Sequence, residues 1–407
     1  MLATMMPLFD GNTAVKAYSV FAQKKNFLLH PALLGTGSLD GAGNIMGLDA
    51  IESMGIGTLN DDQVFFVEVT KVSLFASIDE MCSAPSDRIV LLVDQTIPCK
   101  EMYIERFKQL KEMGYKISMK GLRIEQFEEY APILALLDYI MLDYKKLNIA
   151  GAKAFFTKVY PNVKLIAVNV DSQDDFEMLA GSDAYTLFEG DFYRIPVKQG
   201  SKEIAPLKIN YIELLNVVNK PDFELTSAAD VIGRDTALVI DLLKLVNRIA
   251  INSEITSIRH AAAMLGQREL KKWINTAVAN RLCADRPNEI TRLSLIRAKF
   301  CENLAEQFGI ADKSNEMFLL GLFSVIDLIL NLPMAEALKM VYLPKEIVSA
   351  LTEGEGRLAT ILDFAKAYEE ANWAEVSRTL IIEKVDTNSI YDAFSSALQW
   401  YSNMFAN

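Results

Sequence analysis

The chain has 407 residues, 51% of them hydrophobic, and a net charge of -12. That length and apolar content allow two or three domains with large cores. The acidity excludes general affinity for nucleic acid or anionic lipid, both of which would be repelled at long range. Cys82, Cys99, Cys283 and Cys301 form no C-x-x-C pair and match no metal spacing. They are expected as small buried hydrophobes of a reducing cytoplasm. The N-terminal MLATMMPLFDG lacks a basic segment followed by a long apolar one, so no signal peptide is expected and the protein is placed in the cytoplasm.

The first half alternates β-rich runs with helical patterns. Ala14–Phe21, Val64–Thr70, Arg88–Val93, Tyr115–Met119, Tyr139–Asp143, Val163–Val170 and Tyr185–Phe188 are rich in Val, Ile, Phe and Tyr and predict strands. Between the third and fourth, Lys100–Met113 sets Ile104, Phe107, Leu110 and Met113 about a turn apart, the pattern of an amphipathic crossover helix. Strands alternating with such helices pair in parallel, and this many within one half fit a (β/α) barrel better than an open sheet. Function in such a barrel belongs at the C-terminal strand ends.

Gly35, Gly37, Gly41 and Gly43 in GTGSLDGAG have neither dinucleotide-binding nor Walker A spacing, so this stretch predicts a loop leading to a helix near Ile45–Met54. From about Gly200 the period changes to helical. Tyr211–Asn219, Thr226–Gly233, Asp235–Ile249, Ile255–Leu265, Glu269–Leu282, Glu289–Gly309, Glu316–Leu332, Lys345–Leu351, Leu358–Glu370 and Ser389–Met404 predict helices. Thr226 and Ser314 suit N-caps, Gly309 a C-terminal stop, and Pro333 and Pro344 helix boundaries. Glu316–Leu332 is apolar almost all round and predicts a helix buried among helices; it is too short and too interrupted by Ser324 and Asp327 to span a bilayer. The polar stretch 196–206, PVKQGSKEIAP, breaks both patterns. The chain is therefore divided into an α/β domain over 1–200 and an all-α domain over 201–407.

Longer segments add a family resemblance. LKEMGYKISMKGL (110–122), LDYIMLDYKKL (137–147), LIAVNVDSQDDFEMLAGSDAYTLFEGDFYRIP (165–196) and, more loosely, MMPLFDGNTAVKAYSVFAQ (5–23) resemble EAL domains, the TIM-like barrel phosphodiesterases of cyclic di-GMP. ELLNVVNKP (213–221), VIGRDTALVIDLLKLVNR (231–248), ITSIRHAAAMLGQRELKKWI (255–274) and GLFSVIDLIL (321–330) resemble the HDOD domain, a helical relative of the HD phosphohydrolases. Together these segments resemble bacterial two-domain EAL-HDOD signalling proteins, which implies a role in motility, surface attachment or related signalling.

The resemblance implies a site. Active EAL enzymes hold two divalent cations on a carboxylate-rich cluster that polarises the phosphodiester and generates hydroxide. Carried over by position, their signature Glu falls on Ser19, a metal-binding Asn on Glu68, the next Glu on Leu92 and the paired aspartates on Lys120 and Gly121. The following Lys falls on Met141, with its Asp retained as Asp143. A further Glu falls on Val168, a nearby second acid is retained as Asp171, and the late Gln falls on Glu189. A cation at Lys120 repels a metal. This implies a degenerate EAL-type barrel, with no catalytic residue, metal or cofactor. Asp143, Asp171 and Glu189, with Glu68 and Asp94, are expected as solvated strand-end acids or helix caps, not as a rebuilt metal site.

In the helical half the segment 321–327 lacks the His-Asp pair of HD hydrolases, and only His30 and His260 exist in the chain. With so few histidines, no histidine-based hydrolase and no Ser-His-Asp or Cys-His arrangement is expected. His260 is expected as a satisfied or surface residue. Arg259, Arg268, Lys271, Lys272 and Arg281 are expected as a solvated helix face, not a nucleic-acid contact. The resulting expectation is not an enzyme: a catalytically inactive adaptor acting through protein-protein interaction by its HDOD domain. The alternative is a non-hydrolysing cyclic di-GMP receptor with Lys120, Arg123 and Tyr144 as contacts. A phosphodiesterase with a rebuilt metal site is the third.

Overall fold

The computed structural model describes residues 1–23, 43–54, 63–146, 149–194, 206–249, 255–282 and 288–405. The glycine-rich stretch up to Gly41, His30, Cys283 and most of the 196–206 segment lie outside them. Eight strands close into one barrel in sequence order: β1 Leu2–Phe9, β2 Val15–Gln23, β3 Val64–Glu68, β4 Ile89–Asp94, β5 Lys116–Lys120, β6 Tyr139–Asp143, β7 Lys164–Val168 and β8 Leu187–Phe188. β1 is antiparallel to β2 and β8, and the remaining pairs are parallel.

The strand missed by pattern is β1. It is buried on both faces along nearly all its length, so its sequence shows no alternation, and Met5, Met6 and Pro7 dilute its β-branched content. The helices α1 Met46–Met54, α2 Ile78–Met81, α3 Glu101–Glu112, α4 Ala131–Leu134, α5 Ile149–Val159 and α6 Gln173–Ala180 fill the crossovers from β2 onward. On α3 the predicted face is partly buried: Phe107 and Leu110 are enclosed, Ile104 is half-buried, and Met113, just past the last turn, is exposed. The barrel interior is a cluster of Leu8, Ala17, Phe66, Val90, Leu92, Tyr139, Met141, Ile166 and Leu187. Each buried Leu, Val, Ile, Phe or Met side chain among them stabilises by about 1.5–3 kcal/mol.

Among the described residues no strand follows β8. The remaining helices are α7 Pro206–Val218, α8 Leu225–Ile232, α9 Thr236–Ile249, α10 Ile258–Leu282, α11 Asn288–Gln307, α12 Ser314–Phe323, α13 Ile326–Leu330, α14 Met334–Ala337, α15 Lys345–Thr352, α16 Arg357–Glu369, α17 Trp373–Glu383 and α18 Thr387–Phe405. Gly266, with φ of 75°, breaks α10 where the sequence separates two helices. Gly309 stops α11 with φ of 72°. Pro333 and Pro344 stand just before α14 and α15, whereas Thr226 and Ser314 lie inside their helices.

The single helix predicted over Glu316–Leu332 is two. The Ser324 hydroxyl donates to the Gly321 carbonyl at 2.7 Å, and Val325 leaves the helical region with φ of -127°. A serine bonding back to its own turn competes with the helix ladder. The burial expected for that stretch holds, since every residue from Met317 to Phe323 is enclosed.

By contacts the chain forms two compact units. One comprises Met1–Ile195, Glu306–Ala311 and Asp363–Asn407; the other comprises Pro196–Ala305 and Asp312–Leu362. Contact grouping therefore does not follow one cut in the sequence. Among the described residues no helix is long and apolar enough to cross a membrane.

Candidate functional site at the barrel mouth

Side chains alternate along a strand, so the residue two beyond an interior one faces the interior again. Ala17, Phe66, Leu92, Met141, Ile166 and Leu187 are interior. Two positions on lie Ser19, Glu68, Asp94, Asp143, Val168 and Glu189, with Lys120 completing the ring two beyond the buried Ser118 on β5. These are the C-terminal strand ends, where barrel enzymes place their chemistry. Most of the positions reached by family resemblance thus converge on one mouth, although they are scattered over some 170 residues of chain.

The charges there are paired. Lys120 forms an ion pair with Glu68, whose side chain is 51% exposed. The Ser19 hydroxyl donates to Glu189 Oε2 at 3.3 Å. Burial pushes the Glu189 carboxyl up; the Ser19 bond and the Lys120 charge oppose this, and Glu68 adds to it. Gly190 sets this arrangement. Its φ of 151° suits glycine, and a Cβ there would stand 2.1 Å from the Val170 carbonyl oxygen. Glu189 is bonded on both sides, its N–H to Ala167 O at 2.8 Å and its carbonyl to Val170 N at 3.0 Å. Gly121 leaves β5 with φ of 72°, a left-handed conformation that glycine adopts freely.

A pH prediction follows from Glu189. Its folded pKa lies above the unfolded one, so the folded state binds the extra proton. Stability is fully present below the unfolded carboxyl pKa and declines as pH rises through the raised folded value. Glu189→Gln is expected to flatten that decline, narrowing the difference in melting temperature between pH 5 and pH 8. An unchanged difference would contradict the assignment.

Across the mouth, Asp143 is held differently. Burial alone would raise its pKa, but Lys146, the Lys145 N–H and Asn169 together hold it below the usual value. Lys146 Nζ is 2.9 Å away, and Asn169 Nδ2 donates at 3.0 Å from a left-handed backbone with φ of 62°. Tyr144 follows, half-buried, its hydroxyl pushed up to about 12 by burial and by a bond to Asp175. Lys145 pairs with Asp171, and Asp94 receives the N–H and hydroxyl of Thr96 at 2.8 and 2.6 Å. Arg123 is exposed on the turn after β5.

The donor set does not fit a metal pair. Among the described residues no three His, Cys, Asp or Glu side chains converge as a metal site. Glu68 is engaged by a lysine, Asp143 by a lysine and an amide, and Leu92, Met141 and Val168 supply no oxygen or nitrogen for a hard divalent cation. No step is therefore derived through a metal.

The Ser19–Glu189 bond, the Lys120–Glu68 pair and Asn169 as the holder of Asp143 were not read from sequence. Barrel closure and strand register bring them together, and no local pattern encodes either.

In the helical unit, His260 is exposed. Of the basic residues, exposed Arg259 pairs with Asp230 at 3.0 Å, whereas half-buried Lys272 and Arg281 pair with Glu302 at 2.7 Å and Asp241 at 2.8 Å, so the expected solvated face holds only in part. The 321–327 turn is structural. Buried Arg297 donates to Ser324 Oγ at 2.9 Å, and the Ser294 hydroxyl donates to Leu322 O at 2.8 Å. Cys301 is buried, whereas Cys82 and Cys99 are only half-buried, so the expectation of buried cysteines holds for one of these three.

Comparison with known proteins adds identity of type. The HDOD domain model matches residues 204–352. A Bacillus subtilis relative, the uncharacterized protein YuxH, is 25% identical over 98% of this chain and 97% of its own length. The Vibrio cholerae cyclic di-GMP phosphodiesterase CdgJ is 25% identical over 78% of this chain and 74% of its own. The EAL enzyme Bd1971, solved with cAMP and cyclic di-GMP bound, aligns at 11% identity and a TM-score of 0.37 over 46% of this chain and 60% of its own. The two-domain EAL-HDOD resemblance is supported by these findings. The expectation that the chain is not an enzyme is overturned: a relative matching more than three quarters of it is a phosphodiesterase. Residues not equivalent by position to the family's metal ligands can still serve chemistry.

Proposed function

We propose, from the premise that an EAL-like barrel precedes an HDOD domain in this chain, that the protein acts in cyclic di-GMP signal transduction. Its barrel mouth takes the cyclic dinucleotide, and its helical half passes the signal to a protein partner. The observation that carries this is Lys120, a cation on the inner face of the mouth paired with the half-exposed Glu68. A phosphodiester can exchange with Glu68 for that ammonium in a charge-assisted bond. Tyr144 at the end of the next strand offers an aromatic face already beneath the Lys145 ammonium at 5.7 Å, and Arg123 stands at the rim. For the output side, exposed Ile240 and Ile249 on α9 supply apolar contact area.

The test is calorimetric titration of cyclic di-GMP into the full chain with Mg²⁺ present, followed by analysis of the recovered nucleotide. Saturable binding is expected, weakened about tenfold or more in Lys120→Ala, since a hydrogen bond to a charged group contributes roughly 1.5–3 kcal/mol. A linear product would assign phosphodiesterase activity to the same mouth, and intact nucleotide a receptor role. Absence of heat with the wild type would sink the nucleotide half. If cross-linking of the native protein in its own cells recovers no protein bound to the helical unit, the output half fails.

A further inference from the structure

The barrel's ladder is incomplete at one seam. β1 pairs with β2 along its whole length but meets β8 only where Phe9 faces Phe188. Pro7, in β1, has no N–H to give a ladder, and proline in sheets is confined to such edges. The second edge of β1 is met by the end of α16. The Ala3 N–H donates to the Tyr368 hydroxyl at 3.2 Å, and Thr4 Oγ1 reaches the Glu369 carbonyl at 3.5 Å. Tyr368 is fully buried, its ring against Trp373 at 5.5 Å and Phe394 at 4.9 Å.

The other side of the seam is tied to the same turn. After β8, Phe192 and Tyr193 pack on Phe9 at 5.2 and 4.7 Å. Arg194 donates to the Tyr193 hydroxyl at 2.9 Å and pairs with Asp191 at 3.5 Å and Glu370 at 3.6 Å. Tyr368 thus holds β1, and Glu370 holds the turn that follows β8. Both attachments adjoin the mouth: Met6 is the register partner of Ser19, Thr4 pairs with Phe21 farther toward the mouth, and Arg194 follows Glu189 by five residues.

We infer that residues 363–405 are a strap that closes the barrel at the β1/β8 seam and holds the Ser19–Glu189 side of the mouth in place. The segment lies beyond the residues matched by the HDOD model, and it belongs by contacts to the barrel unit.

Hydrogen exchange on the full chain tests the strap without nucleotide. In Tyr368→Phe the amides of residues 2–8 are expected to exchange about tenfold faster, as loss of a buried hydrogen-bond partner implies. Glu370→Gln, a milder surface change, is expected to speed exchange at residues 192–194. Amides of β4 and of α11 should keep wild-type protection in both. Unchanged protection at 2–8 and 192–194, or equal loosening of β4, would overturn the strap. Its effect on the mouth rests on the function proposed above and is read as weaker cyclic di-GMP binding in the same two variants; fast seam exchange with wild-type affinity would refute that link. Failure of the wild type to bind would sink the nucleotide proposal alone, and exchange would still decide the strap.

Discussion

Replacing Gly190 by alanine is expected to cost the barrel unit about 3 kcal/mol or more and to disorder the Glu189 side of its mouth. Two separate penalties act. A φ of 151° is a conformation L side chains rarely adopt, and the new Cβ would lie 2.1 Å from Val170 O and 2.5 Å from Val170 N. Both contacts are backbone, so no rotamer change relieves them. The chain must instead pull away from β7, breaking the bonds that Glu189 makes to Ala167 and Val170. A loss this large is a substantial share of the 5–15 kcal/mol that holds a typical domain together. Urea unfolding followed with the exchange of residues 165–192 measures it. A midpoint within a few tenths molar of wild type would show that the close approach at Gly190 relaxes freely.

Much of this architecture was legible because it is written locally. The seven strand runs from Ala14 to Phe188 each carry β-branched residues, most with an aromatic as well, and alternation with α3-like segments specifies parallel pairing. The break at Gly266 announced itself as a glycine between two apolar periods. α17 was missed, although Asn372 caps it by accepting the Glu375 N–H at 3.3 Å, the spacing of an N-terminal box that can be found by inspection.

What the sequence did not show is nonlocal. Nothing near Ser19 foretells a partner at Glu189, and nothing near Tyr368 foretells the edge of β1. Those contacts depend on barrel closure and on a C-terminal segment returning to the N-terminal strand. The resemblance gathers most of its positions at one mouth. It could not determine the chemistry there, because that depends on which charges meet: Lys120 with Glu68, and Asp143 with Lys146 and Asn169.

Gly321→Ala is expected to destabilise the helical unit by about 1–3 kcal/mol, against the direction that helix propensity alone would give. Alanine is favoured over glycine in a helix interior by roughly 1 kcal/mol. At Gly321, however, α12 crosses α11 so closely that a Cβ would stand 2.6 Å from Arg297 O, 2.7 Å from Ala298 Cα and 2.8 Å from Ala298 N. All three are backbone atoms inside a helix, so the helices themselves must separate. Overpacking of this kind costs roughly 1–3 kcal/mol. Separation also lengthens the Ser294–Leu322 and Arg297–Ser324 hydrogen bonds that cross the same interface, each contributing about 0.5–3 kcal/mol. The clash and the strained bonds together exceed the propensity gain. Urea unfolding should therefore show a lower midpoint for Gly321→Ala, with faster exchange at residues 294–298 and 318–324. A midpoint at or above wild type would mean that propensity wins and that α11 and α12 yield at little cost. In that case Ser324→Ala, which removes the hydroxyl bonded to Arg297 and to the Gly321 carbonyl, should also be nearly neutral.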